Sequence, residues 1–99
     1  MSDIKKEPLS VSDNLKVVRL QVRAGGKVPE HHSNVDVIAT IVRGTGDFTV
    51  EGKPRAVSAG DVIVMAPQVR HAITADSDLE IVVVHARLAV AGQPATCGA

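Results

Sequence analysis

Aromatic residues are almost missing from this chain: Phe48 stands alone, with no tryptophan and no tyrosine. One ring cannot build a base-stacking platform, and eleven basic side chains against eleven acidic ones leave no positive excess for a phosphate backbone. Nucleic acid is therefore not an expected partner. The single cysteine, Cys97, cannot close an internal disulfide. It lies in Ala91–Ala99, a segment whose composition suits a disordered tail, and a catalytic thiol needs an ordered electropositive setting. Long hydrophobic runs are also lacking, since nothing approaches the roughly eighteen apolar residues of a membrane helix. The segment Met1–Pro8 has no apolar core of the secretory kind, so the expected location is cytoplasmic, with no membrane partner. Ninety-nine residues hold one hydrophobic core and no second.

What the chain does have is valine, seventeen copies, with six isoleucines beside them. Such β-branched enrichment favours strands over helices. Leu15 to Arg23 alternates, with Val18, Leu20 and Val22 on one face and Arg19, Gln21 and Arg23 on the other, the period of a half-buried strand. Further strands are predicted at about Val35–Val42, Asp47–Glu51, Ala56–Ser58, Val62–Met65, His71–Ala75 and Leu79–Leu88, separated by glycine, proline and Asp76-Ser-Asp78 turns. The expected fold is all-β, a compact antiparallel jelly-roll barrel over residues 14–90, with an N-terminal arm at 1–13 and a disordered tail at 91–99.

Side-chain alternation assigns faces to the four histidines. In the segment from His31 to Val42, the more apolar parity holds His31, Ser33, Val35, Val37, Ala39 and Ile41. His31 then points inward and His32 to solvent. His71 shares parity with Val69, Ile73 and Ala75, and His85 with Leu79, Ile81 and Val83. Three imidazoles converging on one small barrel need partners, either backbone carbonyls or a metal ion. Imidazole suits iron, nickel, manganese, copper or zinc, and a three-histidine set with open positions is a recognised metal arrangement. Both explanations stay open at this stage.

Gly25, five residues and then His31, with Gly44 and Gly46 following, resembles the first motif of the cupin family. Gly60-Asp61-Val62-Ile63-Val64-Met65-Ala66-Pro67, leading to His71-Ala72, is similar to the second. The resemblance implies a double-stranded β-helix and a site at the barrel mouth. The family's usual ligands fall on His31, Ser33, Val37 and His71, so two of the four positions carry no metal ligand here. His85 on the last strand offers a third nitrogen, making His31, His71 and His85 the candidate metal set. Glu30 or Asp36 supplies an oxygen only where a bulge turns it inward. Arg70, next to His71, is the candidate to hold a carboxylate substrate, and Val37 and Ile41 are candidates to line its pocket.

Three functions follow as expectations. One is a metal-dependent cupin acting on a small polar or carboxylated molecule by oxygen, isomerase or lyase chemistry. Another is a binding or sensing barrel without metal, its apolar interior lined by Val37, Ala39, Ile41, Val62 and Val64. The third is self-association: Ile38, Val42, Val82 and Val84 form an outer apolar patch expected to support a homodimer.

Overall fold

A computed structural model describes residues 3–87; the tail at 91–99 with Cys97, and residues 88–90 of the expected barrel, lie outside the described residues. Nine strands and no helix occur among the described residues: β1 Ile4–Val11, β2 Leu15–Val22, β3 Lys27–His31, β4 Asp36–Arg43, β5 Thr45–Val50, β6 Lys53–Ser58, β7 Val62–Met65, β8 His71–Ala75 and β9 Leu79–Ala86. They form two antiparallel sheets, ordered β1-β2-β9-β4-β7 and β3-β8-β5-β6. This is the jelly-roll barrel expected from the valine-rich alternation. Residues 4–11 of the N-terminal arm are a strand in their own right, β1, paired along β2 from Ile4↔Val22 to Val11↔Lys16.

Each sheet turns one face to the other, so burial alternates along the strands. Val18, Leu20 and Val22 are buried while Arg19 and Gln21 are half-buried on the outer side. Phe48, Ile41, Leu79, Ile81 and Val22 are the largest fully buried side chains and fill the space between the sheets. On the outer face, Arg19 pairs with Glu7 at 2.9 Å and Arg43 with Glu80 at 2.8 Å.

Three expectations need correction. Val62 and Val64 do not line the interior: they are 49% and 70% exposed, and it is Ile63 and Met65 that are buried. The register explains it, because Met65 pairs with inward Val37 and Ile63 with inward Ala39. Val62 and Val64 instead join the outer apolar patch, where Val64 and Val84 flank Ile38 across β7, β4 and β9. Second, the alternation counted from His31 to Val42 does not run along one strand: His31 ends β3, and β4 starts at Asp36, beside the expected Val35. Third, there is a bulge in β3, where Val28 opposes Ile73 but His31 opposes His71. The extra residue lets Val28 and His31, three apart, both face inward. It turns His31 inward, not Glu30.

Two loops rim the open end. Gln68, held at φ 72°, donates its backbone N–H to the Ser33 carbonyl at 2.7 Å and its side-chain amide to Asn34 Oδ1 at 2.8 Å. The loop before His71 is thereby tied to the loop after His31.

Candidate functional site

Between the sheets lies a cavity of about 210 Å³, and His31, His71 and His85 all line it. The strand registers show how they arrive there. In one sheet Lys16, His85, Val37 and Met65 stand opposite one another across β2, β9, β4 and β7, all on the inner face. In the other sheet His31 is opposite His71. The polar wall is thus the end row of each sheet, and the rows beneath, such as Val18, Val83 and Ala39, are apolar.

His31 and His71 meet edge to face, with ring centroids 4.2 Å apart. His31 Nδ1 lies 2.9 Å from the Pro29 carbonyl and His71 Nδ1 lies 3.0 Å from the Val69 carbonyl. A carbonyl only accepts, so each Nδ1 carries a proton, which leaves the lone pair of the neutral imidazole form on Nε2. Backbone satisfaction of the inward histidines is therefore real, and it occupies only one nitrogen of each ring. The same arrangement orients histidines in metal sites. Phe48 lies nearly parallel to His71 at 6.1 Å, forming the floor behind it.

His85 differs from the other two. Its Nδ1 is buried and has no hydrogen-bond partner among the described residues. It is also the cross-strand neighbour of Val37, the position at which the resemblance puts a carboxylate ligand. Directly opposite residues have Cβ atoms only about 5 Å apart, so a donor lost at Val37 has a replacement one strand away.

Burial holds the His71 imidazole below the ordinary histidine range; the bond to Val69 pushes back, while charge on His31 and His32 adds to the lowering. His85 is lowered by burial first, then by Lys16, His71, His31 and Lys6. Folded rings with lowered pKa bind protons less readily than the unfolded chain. Their contribution to stability is full above the unfolded value of 6.5 and is lost as pH falls below it. The urea midpoint is accordingly expected to drop between pH 7.5 and 5.5, and to drop less in a His71→Leu/His85→Leu variant. Equal drops in the two proteins would contradict this.

The other expected residues divide. Val37 lines the cavity, whereas Ile41 is buried in the core and is not part of its wall. Arg70 is not on the wall either: its side chain is 67% exposed and lies 3.8 Å from Glu30. As the immediate neighbour of inward His71 it takes the opposite face. His32 is exposed, as expected, and neither Glu30 nor Asp36 reaches the cavity. Two lining residues escaped the sequence reading, Lys6 and Lys16. The signal for Lys16 was present, since it shares parity with Val18, Leu20 and Val22. Lys6 becomes inward only through its pairing with Leu20. The wall contains no carboxylate and no tyrosine.

Solved structures with the same architecture are numerous, and all those cited here are less than 25% identical. An RmlC-like cupin from Shewanella frigidimarina superimposes with a TM-score of 0.83 at 18% identity, covering 88% of this chain and 78% of that one. KdgF from a Halomonas species gives a TM-score of 0.78 at 24% identity, covering 86% and 80%. Salicylate 1,2-dioxygenase from Pseudoaminobacter salicylatoxidans, in a structure of its adducts with gentisate, gives 0.82 at 14% identity, with 87% of this chain matching 25% of that one. No curated protein matches the chain. The sequence model of the cupin domain matches residues 16–86, from the start of β2 to the end of β9. The glycines and histidines of both motifs fall within that span, and the chain belongs to the cupin domain family.

Proposed function

We propose that the cavity between the sheets binds a small polar or carboxylated molecule, and that His31, His71 and His85 hold a divalent transition metal at its polar end. One observation carries the reading: three imidazoles from β3, β8 and β9 line a single cavity, and each has a ring nitrogen uncommitted to the protein. The donors fit a metal in kind. Two rings are oriented by their carbonyl bonds, and the third has an orphaned nitrogen. A bound ion would supply Lewis acidity toward an oxygen of the ligand. The residues' own part is to present ring nitrogen donors above an apolar floor. Without the ion, and with no carboxylate or tyrosine on the wall, the free ring nitrogens of these imidazoles are the groups placed to take up a proton there.

A second reading, a metal-free binding barrel, is favoured by a different observation. Among the described residues, no group of three or more His, Cys, Asp or Glu side chains is drawn together as a metal centre. His31 and His71 are already in contact, so the two readings differ in whether His85 joins them.

Titration with cobalt(II), followed by its visible absorption, separates the two. The metal reading expects saturation at about one equivalent, strong loss of binding in His71→Ala, weakening by roughly tenfold or more in His85→Ala, and no change in His32→Ala. Absence of saturable binding, or equal binding by the His71→Ala and His32→Ala variants, would remove the metal and leave the metal-free barrel.

A further inference from the structure

The inner face of β2 reads Lys16, Val18, Leu20, Val22: three buried apolar side chains and, at the open end, an ammonium. On β1 the residue opposite Leu20 is Lys6, which brings a second ammonium to the same cavity. Among the described residues neither lysine side chain makes a hydrogen bond or an ion pair, while Arg19 on the other face of β2 is matched with Glu7. An inward charge on an edge strand discourages further strand addition, which accounts for Lys6 on β1. Lys16 has no such explanation, because β2 lies between β1 and β9. It is also directly opposite His85, whose buried Nδ1 lacks a partner.

We propose that Lys6 and Lys16 make the cavity a site for a small organic anion, a compound with a carboxylate on a short apolar body, the carboxylate drawn by the ammonium of Lys16 at the mouth and by that of Lys6 further along the same wall. This rests on the reading of the cavity as a ligand site and holds with or without a metal.

The argument is one of charge balance. The wall carries two ammonium groups and three imidazoles with no carboxylate among them, above a floor formed by Leu20, Ala39, Phe48 and Ile73. Both lysines are solvent-exposed, and an anion entering there offsets their unpaired positive charge through charge-assisted hydrogen bonds. An organic cation without affinity for the imidazoles meets repulsion from the two ammonium groups, and a neutral ligand leaves both uncompensated. The volume of about 210 Å³ corresponds to roughly seven waters' share of liquid, so the apolar body is short. Lys6 lies before the part of the chain matched by the family model, which begins at Lys16.

The test is a methyl NMR titration of the full chain, with and without added zinc, using butyrate, isovalerate and benzoate, each paired with its uncharged amide. At least one acid is expected to shift the Val37 and Val83 methyl signals saturably, with its amide binding roughly tenfold more weakly. Lys16→Gln and Lys6→Gln are each expected to weaken the acid by about five- to tenfold and leave the amide unchanged. Lys53→Gln, on the β5–β6 hairpin, is the neutral control. Acid and amide binding alike, or both cavity variants binding the acid as tightly as the parent, would overturn the anion and leave the cavity as a ligand site. If no acid and no amide moves those methyls, the anion proposal and the cavity reading fall together.

Discussion

Replacing Phe48 with alanine is expected to destabilise the fold by about 3–5 kcal/mol, which is a large part of the roughly 5–15 kcal/mol that holds a domain of this kind together. Phe48 is 1% exposed and is the chain's one Phe, Tyr or Trp side chain, so no second large apolar ring is at hand to fill the space. It packs between the sheets from β5, paired with Ile73 on one side and Arg55 on the other. The same ring backs His71 at 6.1 Å. Removing it therefore enlarges the cavity floor as well as the core. Phe48→Leu, which keeps most of the volume, is expected to lose about half as much or less. Urea unfolding measures both, and a loss below about 1 kcal/mol for the alanine variant would show that the sheets close over the void.

Gly44→Ala is the second large effect, and its cause is backbone geometry. Gly44 has φ 96°, and a Cβ there would run into the carbonyl of Asp78 in the turn between β8 and β9. The left-handed backbone costs a side chain about 1–2 kcal/mol, and displacing the opposing turn adds about 1–3 kcal/mol. Gly60 separates the two parts. It has φ 97° but nothing within 4 Å of an added Cβ. Gly60→Ala is expected to show only the conformational part, so the gap between the two variants in urea midpoint measures the collision. Equal losses would mean that the Asp78 turn moves aside freely.

How far the sequence carries can be judged residue by residue. The alternation Val18, Leu20, Val22 against Arg19 and Gln21 contrasts apolar with polar at every step, and its face is as expected. His71 follows Ile73 and Ala75 inward for the same reason. The run Val62-Ile63-Val64-Met65 has no such contrast, and only its register against Val37 and Ala39 decides that Ile63 and Met65 face in. Period 2 carries no information where both faces are apolar. The β3 bulge is equally silent in the sequence. It is visible only as two pairings out of step, Val28 with Ile73 and His31 with His71. Arg70 shows the limit of adjacency: standing next to a site histidine on an extended chain puts a residue on the other face.

The sites follow the same division. His71 and His85 were within reach because each belongs to a run whose apolar partners declare the inner face, whereas the parity that put His31 inward was counted along residues of β4 and it is the β3 bulge that places it there. Lys16 belongs to such a run as well, but an inward lysine contradicts the rule that charge faces water, so hydrophobic parity alone passes it over. Lys6 depends on β1 being a strand at all, and Lys5, Lys6, Glu7 and Pro8 give no alternation from which to infer one. Its place is set by the pairing of Lys6 with Leu20, a contact between two strands.

The central claim is that the three histidines form one metal-holding end of the cavity. Elemental analysis of protein purified without an affinity tag, run beside the His71→Ala variant, tests it most directly. The expected result is about one iron, nickel, manganese, copper or zinc ion per chain in the parent and a large loss in the variant. Protein that stays metal-free after supplementation, or a variant that retains the ion in full, would contradict it and leave the histidines as polar wall residues of a metal-free cavity.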